Sequence, residues 1–228
     1  LFHRAGRHIQ LTEIGAALVP LARGLVNHAA QVHETVASMQ GEVIGVLKIA
    51  CSTSIGKYIL PRLLARFIEQ HPAAHIECQA VDHDAALALV TSGEVHLALS
   101  SGRDPSKELD YQPLTADPVV LIVPPNHEWA VCSSISVDDL PSTTFIRRES
   151  SSGTLQAVAE SLAAHNMSVN NLPATVVLGN AEAVCIAAAE GIGAAFISRR
   201  VAADALAAGR VVEVPVRGLE MCQQVYLV

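Results

Sequence analysis

From Val46 onward, short apolar runs alternate with segments whose apolar residues recur at helical spacing. Short apolar runs bounded by turn residues predict buried strands, and the helical spacing predicts amphipathic helices. This alternation favours an α/β fold with largely parallel sheets and crossover helices. The predicted strands are 46–51, 75–81, 95–100, 119–123, 143–147, 174–178, 193–198, 211–216 and 222–228, and the predicted helices are 57–70, 84–92, 152–165, 180–190 and 200–208.

A longer helical pattern precedes this region, after a ten-residue segment with Arg4, Arg7 and His8 around Gly6 that we interpret as a turn or hairpin remnant. Between Ile14 and Met39, apolar residues recur mostly three, four or seven positions apart, which predicts one long helix. Thr12 is its predicted cap, Gly15 is predicted to allow close approach of another backbone, and Pro20 to kink or interrupt it. Such a stripe needs a partner, either the rest of the chain or, as we favour, a second copy.

The α/β region divides into two similar halves. Asp117-Pro118 precedes the apolar run from Val119 to Val123, after which the pattern of strand and helix starts again. The chain from about residue 211 is predicted to return to the first half. Two small α/β lobes joined by two crossings would enclose a cleft, which is a usual site for a ligand.

Hydroxyl side chains follow the predicted strands at three turns. Ser52, Thr53 and Ser54 follow the first strand, Ser100 and Ser101 follow the third, and a serine-rich turn runs from Ser150 to Thr154. In an open α/β sheet, ligands bind beyond the carboxyl ends of the strands, and helix amino termini there favour small anions. Each turn taken singly is equally well explained as an ordinary helix cap.

A basic pair leads into the third of these turns. Arg147 or Arg148 could supply a two-pronged contact to a carboxylate or phosphate, or both could be surface charges. Asn180 is most simply the cap of the following helix, with Glu182 favoured by the helix dipole. The sequence therefore predicts a cleft that binds a small anion.

Net charge, residue spacing and missing motifs argue against nucleic-acid-binding, metal-binding, membrane-spanning and catalytic functions. A net charge of −7 argues against an independent nucleic-acid-binding domain. The five cysteines lack C-x-x-C spacing and mostly lie in apolar runs, which predicts buried free thiols in a reducing cytoplasm. No apolar run is long enough to span a membrane, and the histidine spacings do not suggest a metal site. No nucleophile elbow or paired carboxylates are present, and Gly191-Ile192-Gly193 follows a helix rather than a strand, so neither an enzyme nor a nucleotide cofactor is expected.

The order of several short motifs resembles that of LysR-type transcriptional regulators, and the resemblance covers essentially the whole chain. The individual motifs are loose, but their order and spacing together are specific. They are Leu1-Phe2-x-Arg4, Leu11-Thr12-Glu13-x-Gly15, Pro20 within the long helix, Ile59-Leu60-Pro61, Phe67-x-x-x-His71-Pro72, Gly93-x-x-x-Leu97-Ala98 and Gly191-Ile192-Gly193.

The resemblance implies a periplasmic-binding-protein-like (type 2) effector domain of two Rossmann-like lobes, preceded by a linker helix that pairs in a dimer. Residues 1–11 would be the remnant of a winged helix-turn-helix, 12–44 the linker helix and hinge, and 45–228 the effector domain. Lobe I would comprise about 45–117 and 212–228, and lobe II about 118–211. The effector contacts implied are Ser52, Thr53, Ser54, Ser100, Ser101, Arg147, Glu149, Ser151, Ser152, Thr154 and Ser198.

The same resemblance implies the partners. A small organic or inorganic anion would be the effector, and Arg4 and Arg7 of the wing would touch DNA backbone phosphates. The expected assembly is a cytoplasmic homodimer or homotetramer, with RNA polymerase as a partner left open. The helix-turn-helix before Leu1 and the family's usual last helix after Val228 are missing, so we expect a fragment of a longer regulator. The alternatives are an extracytoplasmic solute-binding protein of the same bilobal fold and, with less support, an enzyme of that fold.

Overall fold

The computed structural model describes residues 1–6, 8–39, 43–104 and 108–228. It divides the chain into two compact units. The first comprises Leu1–Leu47 and Ala65–Ile76, and the second comprises Lys48–Leu64 and Glu77–Val228.

The first unit begins with a hairpin that leads into a long helix. Strands β1 (Phe2–Ala5) and β2 (His8–Leu11) pair antiparallel, and helix α1 runs from Glu13 to Met39. The Oγ1 atom of Thr12 accepts a hydrogen bond from the Gly15 amide at 3.0 Å, as expected of a cap. A Cβ atom at Gly15 would lie 2.0 Å from the carbonyl oxygen of Leu1, so the predicted close approach of another backbone is present.

Helix α1 is continuous and includes Pro20 in its interior. The predicted alternative of a local break at Pro20 is therefore wrong, whereas the alternative of a kink stays a prediction. The apolar stripe of α1 is largely exposed: the large side chains with 42 to 74% of their surface accessible are Ile14, Leu18, Leu21, Leu25, Val26, Val32 and Val36.

Most of the remaining strands form one seven-stranded sheet. Its order is β10-β6-β11-β5-β3-β4, with β9 paired to β6 off this path, and β7 and β8 form a separate two-stranded sheet. The bounds are β3 Gly45–Cys51, β4 Ala74–Ala80, β5 Leu97–Ser100, β6 Gln112–Val123, β7 Phe145–Arg148, β8 Ala174–Leu178, β9 Ala195–Ser198, β10 Val212–Val214 and β11 Met221–Leu227.

Within the described ranges, six further α-helices and three short 3₁₀ helices connect these strands. The α-helices are α2 Thr53–Tyr58, α3 Leu60–Gln70, α4 His83–Thr91, α5 Gly153–Ala163, α6 Ala181–Ala189 and α7 Arg199–Ala207, and the 3₁₀ helices are Glu128–Val131, Val137–Ser142 and Val169–Asn171. The helix predicted at 57–70 is therefore two helices. Pro61 explains the break, because a residue without an amide hydrogen suits the first turn of a new helix.

The expectation of largely parallel sheets is wrong. Parallel pairing joins β3 to β5 and β7 to β8, whereas β6 pairs antiparallel with β9, β10 and β11. Strand β6 also begins at Gln112 rather than 119 and passes through Asp117-Pro118, where we had placed a boundary. The returning strand β11 pairs along that extension, with Cys222 opposite Pro118, and so supplies the partner that the local sequence does not reveal.

Two apolar clusters form the main core of the second unit. One packs β6 and β9 against α5 around Leu121, Phe196 and Leu162, and the other packs α6 and α7 around Ile197 and Val184. The prediction of mostly buried thiols is wrong: all five cysteines are free, but only Cys51 and Cys185 are buried, whereas Cys78, Cys132 and Cys222 are exposed. In β11 the side chains at the start of the strand alternate between buried and exposed, so Cys222 is exposed between the buried Met221 and Gln223.

Candidate functional site

A cavity of about 260 Å³ lies within the second unit, where five helices begin. The capping residue of each of these helices lines it: Ser52 of α2, Asp82 of α4, Ser152 of α5, Asn180 of α6 and Ser198 of α7. Each side chain accepts a hydrogen bond from a backbone amide of its own first turn, at 2.8 to 3.4 Å. Several helix amino termini therefore converge on one polar space, which favours negative charge.

Nine of the residues predicted to contact an effector line this cavity. They come from the α2 turn, the turn after β5, the loop before α5 and the end of β9, and they are Ser52, Thr53, Ser54, Ser101, Glu149, Ser151, Ser152, Thr154 and Ser198. The structure thus brings all three predicted hydroxyl turns to one place. The other two predicted residues, Ser100 and Arg147, do not line the cavity.

Ser100 does not line the cavity but is hydrogen-bonded to a residue that does, His83. Its side chain is buried, its Oγ atom lies 2.8 Å from Nδ1 of His83, and it donates to the Gly102 carbonyl oxygen at 2.9 Å. Because the hydroxyl hydrogen is directed to Gly102, the Nδ1 atom of His83 is the donor to Ser100. Ser100 therefore orients His83, which lines the cavity.

Arg147 and Arg148 are directed to different places. The Nη1 atom of Arg147 donates to Oδ1 of Asn170 at 3.3 Å, and it is Arg148 that lines the cavity. Successive side chains of strand β7 point to opposite faces, so only one of two adjacent arginines can face the cavity. The sequence left both arginines open as anion contacts, and the resemblance implied Arg147, but of the two only Arg148 lines the cavity.

Arg148 forms a close ion pair with Glu149 at the cavity wall. Its Nε and Nη2 atoms donate to the two carboxylate oxygens of Glu149 at 2.8 and 2.7 Å, and its side chain is 12% exposed. Burial raises the pKa of Glu149, but the hydrogen bonds and positive charge of Arg148, with a backbone hydrogen bond, outweigh burial and leave this pKa below its ordinary value. The pair uses two of the five N–H donors of the guanidinium, which leaves three for other contacts.

A buried network joins four elements at the cavity. Asp117 on β6 is 3% exposed and accepts hydrogen bonds from Oγ of Ser198 at 2.9 Å and Nε2 of Gln223 at 2.5 Å. The Oγ1 atom of Thr154 donates to Oε1 of Gln223 at 3.2 Å, which brings α5 into the network. The Nε atom of Arg200 lies 3.3 Å from the Asp117 carboxylate, an ion pair whose geometry does not make a hydrogen bond.

A second polar cluster connects α2 to α6. The hydroxyl of Tyr58 donates to Glu182 at 2.9 Å, and the Lys57 ammonium lies 2.6 Å from the same carboxylate oxygen. The hydrogen bond from Lys57, followed by that from Tyr58, lowers the pKa of Glu182, whereas burial and the same carboxylate raise that of Tyr58. Glu182 was predicted only to favour a helix dipole, and its bridging contacts were not foreseen.

Besides Arg148 and Asn180, five polar residues of the cavity were not proposed as site residues from the sequence: Tyr58, Asp82, His83, Asp117 and Gln223. Asp82 carried a usable signal, since it is an acidic residue before a predicted helix. Asp117 and Gln223 carried none, because they are 106 positions apart and meet only through the antiparallel pairing of β6 with β11.

Two negative findings concern the part of the chain that the structure describes. No group of three or more His, Cys, Asp or Glu side chains there is arranged to hold a metal ion. None of its helices is both long enough and apolar enough to cross a membrane.

Comparison with known proteins agrees with this architecture. A family model described as the LysR substrate binding domain matches residues 40–228. The RuBisCO operon transcriptional regulator of Allochromatium vinosum is 28% identical over 228 residues, which cover 100% of this chain and 74% of the relative. The fold is therefore the α/β periplasmic-binding-protein-like (type 2) fold of effector domains, with a curled sheet.

Two solved structures extend the comparison. The regulatory domain of CcmR from Synechocystis PCC6803, in complex with 2-PG, is 27% identical with a TM-score of 0.71, covering 80% of this chain and 86% of that one. The effector binding domain of QuiR, in complex with shikimate, has a TM-score of 0.72 at 17% identity and covers 81% of this chain and 86% of that one, which shows a shared fold. Because the family model spans most of the chain, the protein belongs to the LysR family of transcriptional regulators, with its effector-binding domain in residues 40–228.

Proposed function

We propose that the 260 Å³ cavity is the effector site and that it binds a small anion. The observation that carries this proposal is the convergence of five helix amino termini on one space lined by serine and threonine hydroxyls. Drug-sized ligands usually occupy cavities of roughly 300 to 1,000 Å³, so this cavity fits a compact metabolite. The relatives named above bind 2-PG and shikimate, which are small and anionic.

The charges of the cavity limit the kind of anion. Among its lining residues, Arg148 carries a positive charge and Asp82, Asp117 and Glu149 carry negative charges. Asp117 is offset by Arg200, and Glu149 is paired with Arg148. The attraction for a bound anion must therefore come from the remaining N–H donors of Arg148, from side-chain hydroxyls and from backbone amides. This favours an anion of low charge with hydroxyl or carboxylate groups over a highly charged polyphosphate.

The proposal is tested by measuring thermal stability with a panel of probes: 2-PG, shikimate, small dicarboxylates, inorganic phosphate and sulfate. A ligand that binds only the folded state raises the free energy of unfolding by about 2.7 kcal/mol at a hundred times its Kd. We expect at least one probe to raise Tm in the wild type and to lose this effect in Ser54→Ala. Ser161→Ala is the matched control, because its hydroxyl bonds the Glu220 carbonyl outside the cavity. If no probe raises Tm, or if both variants respond as the wild type does, the assignment is wrong.

Effector binding would act through a shift between conformations. A ligand stabilises whichever arrangement of the cavity walls it binds more tightly, and linkage passes that preference to any contact that differs between the arrangements. The contacts of Glu182 with Lys57 and Tyr58 join α2 to α6, two helices whose capping residues line the cavity, and would respond to such a change.

We further propose that the exposed stripe of α1 pairs with a second copy of the chain. An isolated helix with seven large apolar side chains exposed would gain stability by burying them, and each buried side chain of this size contributes about 1.5 to 3 kcal/mol. We expect Leu21→Glu with Leu25→Glu to convert a dimer to a monomer in sedimentation velocity. A wild type that is monomeric at micromolar concentration, or a variant that still dimerises, would contradict this proposal.

The remaining partners follow from the family. DNA binding is proposed because the relatives are transcriptional regulators, with exposed Arg4 of the β1–β2 hairpin touching backbone phosphates. Arg7, proposed for the same contact, lies outside the described residues. Tetramer formation, contact with RNA polymerase, a cytoplasmic location and the absence of enzymatic activity are likewise proposed from the regulator family. The alternative of an extracytoplasmic solute-binding protein is not favoured, since the relatives are transcriptional regulators.

A further inference from the structure

Two cysteines on neighbouring strands hold their sulfur atoms in contact. The Sγ atom of Cys51, the last residue of β3, lies 3.5 Å from Sγ of Cys78 on β4. The backbone beside the pair is fixed, because the Val81 amide donates to the Cys51 carbonyl oxygen at 3.0 Å. A disulfide bond is about 2.05 Å long, so the two sulfur atoms would have to approach each other by about 1.5 Å to form one.

The two thiols differ in reactivity. Cys51 is fully buried, whereas Cys78 is exposed. Burial first, and then the contact with Cys78, raise the pKa of the Cys51 thiol to about 12. Since the thiolate is the nucleophile, an oxidant from solution meets Cys78 first and Cys51 only afterwards.

We propose that Cys51 and Cys78 form an oxidisable dithiol site, which a hydroperoxide converts into an intramolecular disulfide. The Cys78 sulfur attacks the peroxide: an S–O bond forms, the O–O bond breaks, and the released alkoxide or hydroxide takes up a proton. The Cys51 sulfur then attacks the sulfenic acid of Cys78, the S–S bond forms, and the oxygen leaves as water with the Cys51 proton. The two thiols supply the two electrons that reduce the peroxide.

The disulfide would restrain segments of the chain that line the cavity. Cys51 immediately precedes Ser52, which caps α2, and a Cβ atom at Gly56 of α2 would lie 3.1 Å from the Cys51 sulfur. Strand β4, which carries Cys78, ends at Ala80, and both Ala80 and the next residue, Val81, also line the cavity. A covalent link between the strands would therefore restrain two segments of the cavity lining.

The other cysteines provide internal controls. All five lie within the described residues, and no other pair of them is in sulfur contact there. The thiols of Cys132 and Cys222 are exposed and contact carbonyl oxygens of Glu128 and Gln223. They should be oxidised singly, if at all, and without a partner in the same chain.

Peptide mapping without reduction tests the site directly. Trypsin places Cys51 in residues 49–57 and Cys78 in residues 67–103, so the disulfide would join two otherwise separate peptides. After hydrogen peroxide treatment and alkylation of free thiols, we expect this pair as the main oxidised product, with the loss of two hydrogen atoms. It should persist in Cys132→Ser and Cys222→Ser and vanish in Cys78→Ser, a change at an exposed position that should leave folding intact. Recovery of residues 49–57 with an alkylated Cys51, while Cys78 is oxidised alone or linked to another chain, would overturn the proposal.

Hydrogen exchange tests the effect on the cavity wall without any effector. We expect amide exchange in residues 52–58 to be at least threefold slower in the oxidised wild type than in peroxide-treated Cys78→Ser. Equal exchange in the two proteins would show that the disulfide does not restrain this wall.

Discussion

Removing the carboxylate of Asp117 should cost more stability than any other single polar substitution at the cavity. Asp117→Ala leaves the Ser198 hydroxyl and the Gln223 amide without their acceptor in a site where Asp117 itself is 3% exposed. Each hydrogen bond to a buried charged group contributes roughly 1.5 to 3 kcal/mol, so the loss of two such bonds should cost roughly 3 to 5 kcal/mol, with local rearrangement reducing the upper end of the sum. Arg200 adds little, because its side chain is 38% exposed and solvent screens its charge.

The isosteric change Asp117→Asn separates hydrogen bonding from charge. The asparagine oxygen can still accept from Ser198, and the Gln223 amide can reverse so that its oxygen accepts from Asn and its NH₂ group donates to Thr154. We therefore expect Asp117→Asn to cost only about 1 to 2 kcal/mol, the difference being two or more hydrogen bonds retained.

Differential scanning calorimetry distinguishes these outcomes. For a domain of this size, about 1 kcal/mol lowers Tm by roughly 2 to 4 °C, so Asp117→Ala should lower it by roughly 6 to 20 °C. Asp138→Ala is the control, because that residue is exposed and should cost within about 0.5 kcal/mol. The reasoning is refuted if Asp117→Ala costs less than about 1 kcal/mol, or if Asp117→Asn lowers Tm as far as Asp117→Ala does.

Three further predictions concern glycines and acid stability. Gly153→Ala would place a Cβ atom 2.1 Å from Oγ of Ser101 at the cavity wall, so it should lower Tm. Gly179 also lines the cavity, but a Cβ atom there would meet nothing within 4 Å, so Gly179→Ala should leave Tm unchanged. Equal Tm values for the two variants would contradict the packing described. Gly15→Ala should destabilise the first unit, because the new Cβ atom would clash with the Leu1 carbonyl oxygen. Gly24→Ala should instead stabilise α1 by up to about 1 kcal/mol, because a Cβ atom there meets nothing within 4 Å. Circular dichroism during heating measures both changes. Because the pKa of Glu149 is lowered on folding, its contribution to stability is present above the unfolded pKa near 4.3 and is lost as pH falls through the folded value. In urea titrations from pH 6 to pH 3, the free energy of unfolding should therefore decrease less in Glu149→Gln than in the wild type. Identical pH profiles of the two proteins would count against the pair with Arg148.

Local signals in the sequence predicted the elements and their caps well. Thr12 and Asn180 cap the predicted helices, and most strand bounds were within two or three residues. The pairing of strands was not predictable in the same way, because the antiparallel partner of β6 lies about a hundred residues away in β11. Alternating strands and helices favoured parallel sheets, and nothing local opposed that expectation.

The cavity shows the same division between local and long-range information. The three hydroxyl turns were found because each combines a strand end with a helix start. Which of two adjacent arginines faces the cavity depends on the register of β7, and Arg148 rather than Arg147 does so. Cys51 and Cys78 are 27 residues apart, and their contact follows from the neighbouring positions of β3 and β4, which composition and spacing do not reveal.

Calorimetric titration of the adjacent arginine variants tests the central claim most directly. The probe is whichever anion of the panel raises Tm most, titrated into the wild type, Arg148→Gln and Arg147→Gln. We expect one site per chain, a loss of affinity of at least tenfold in Arg148→Gln, equivalent to about 1.4 kcal/mol, and affinity within twofold of the wild type in Arg147→Gln. Unchanged affinity in Arg148→Gln, or a loss confined to Arg147→Gln, would show that the anion does not bind in this cavity.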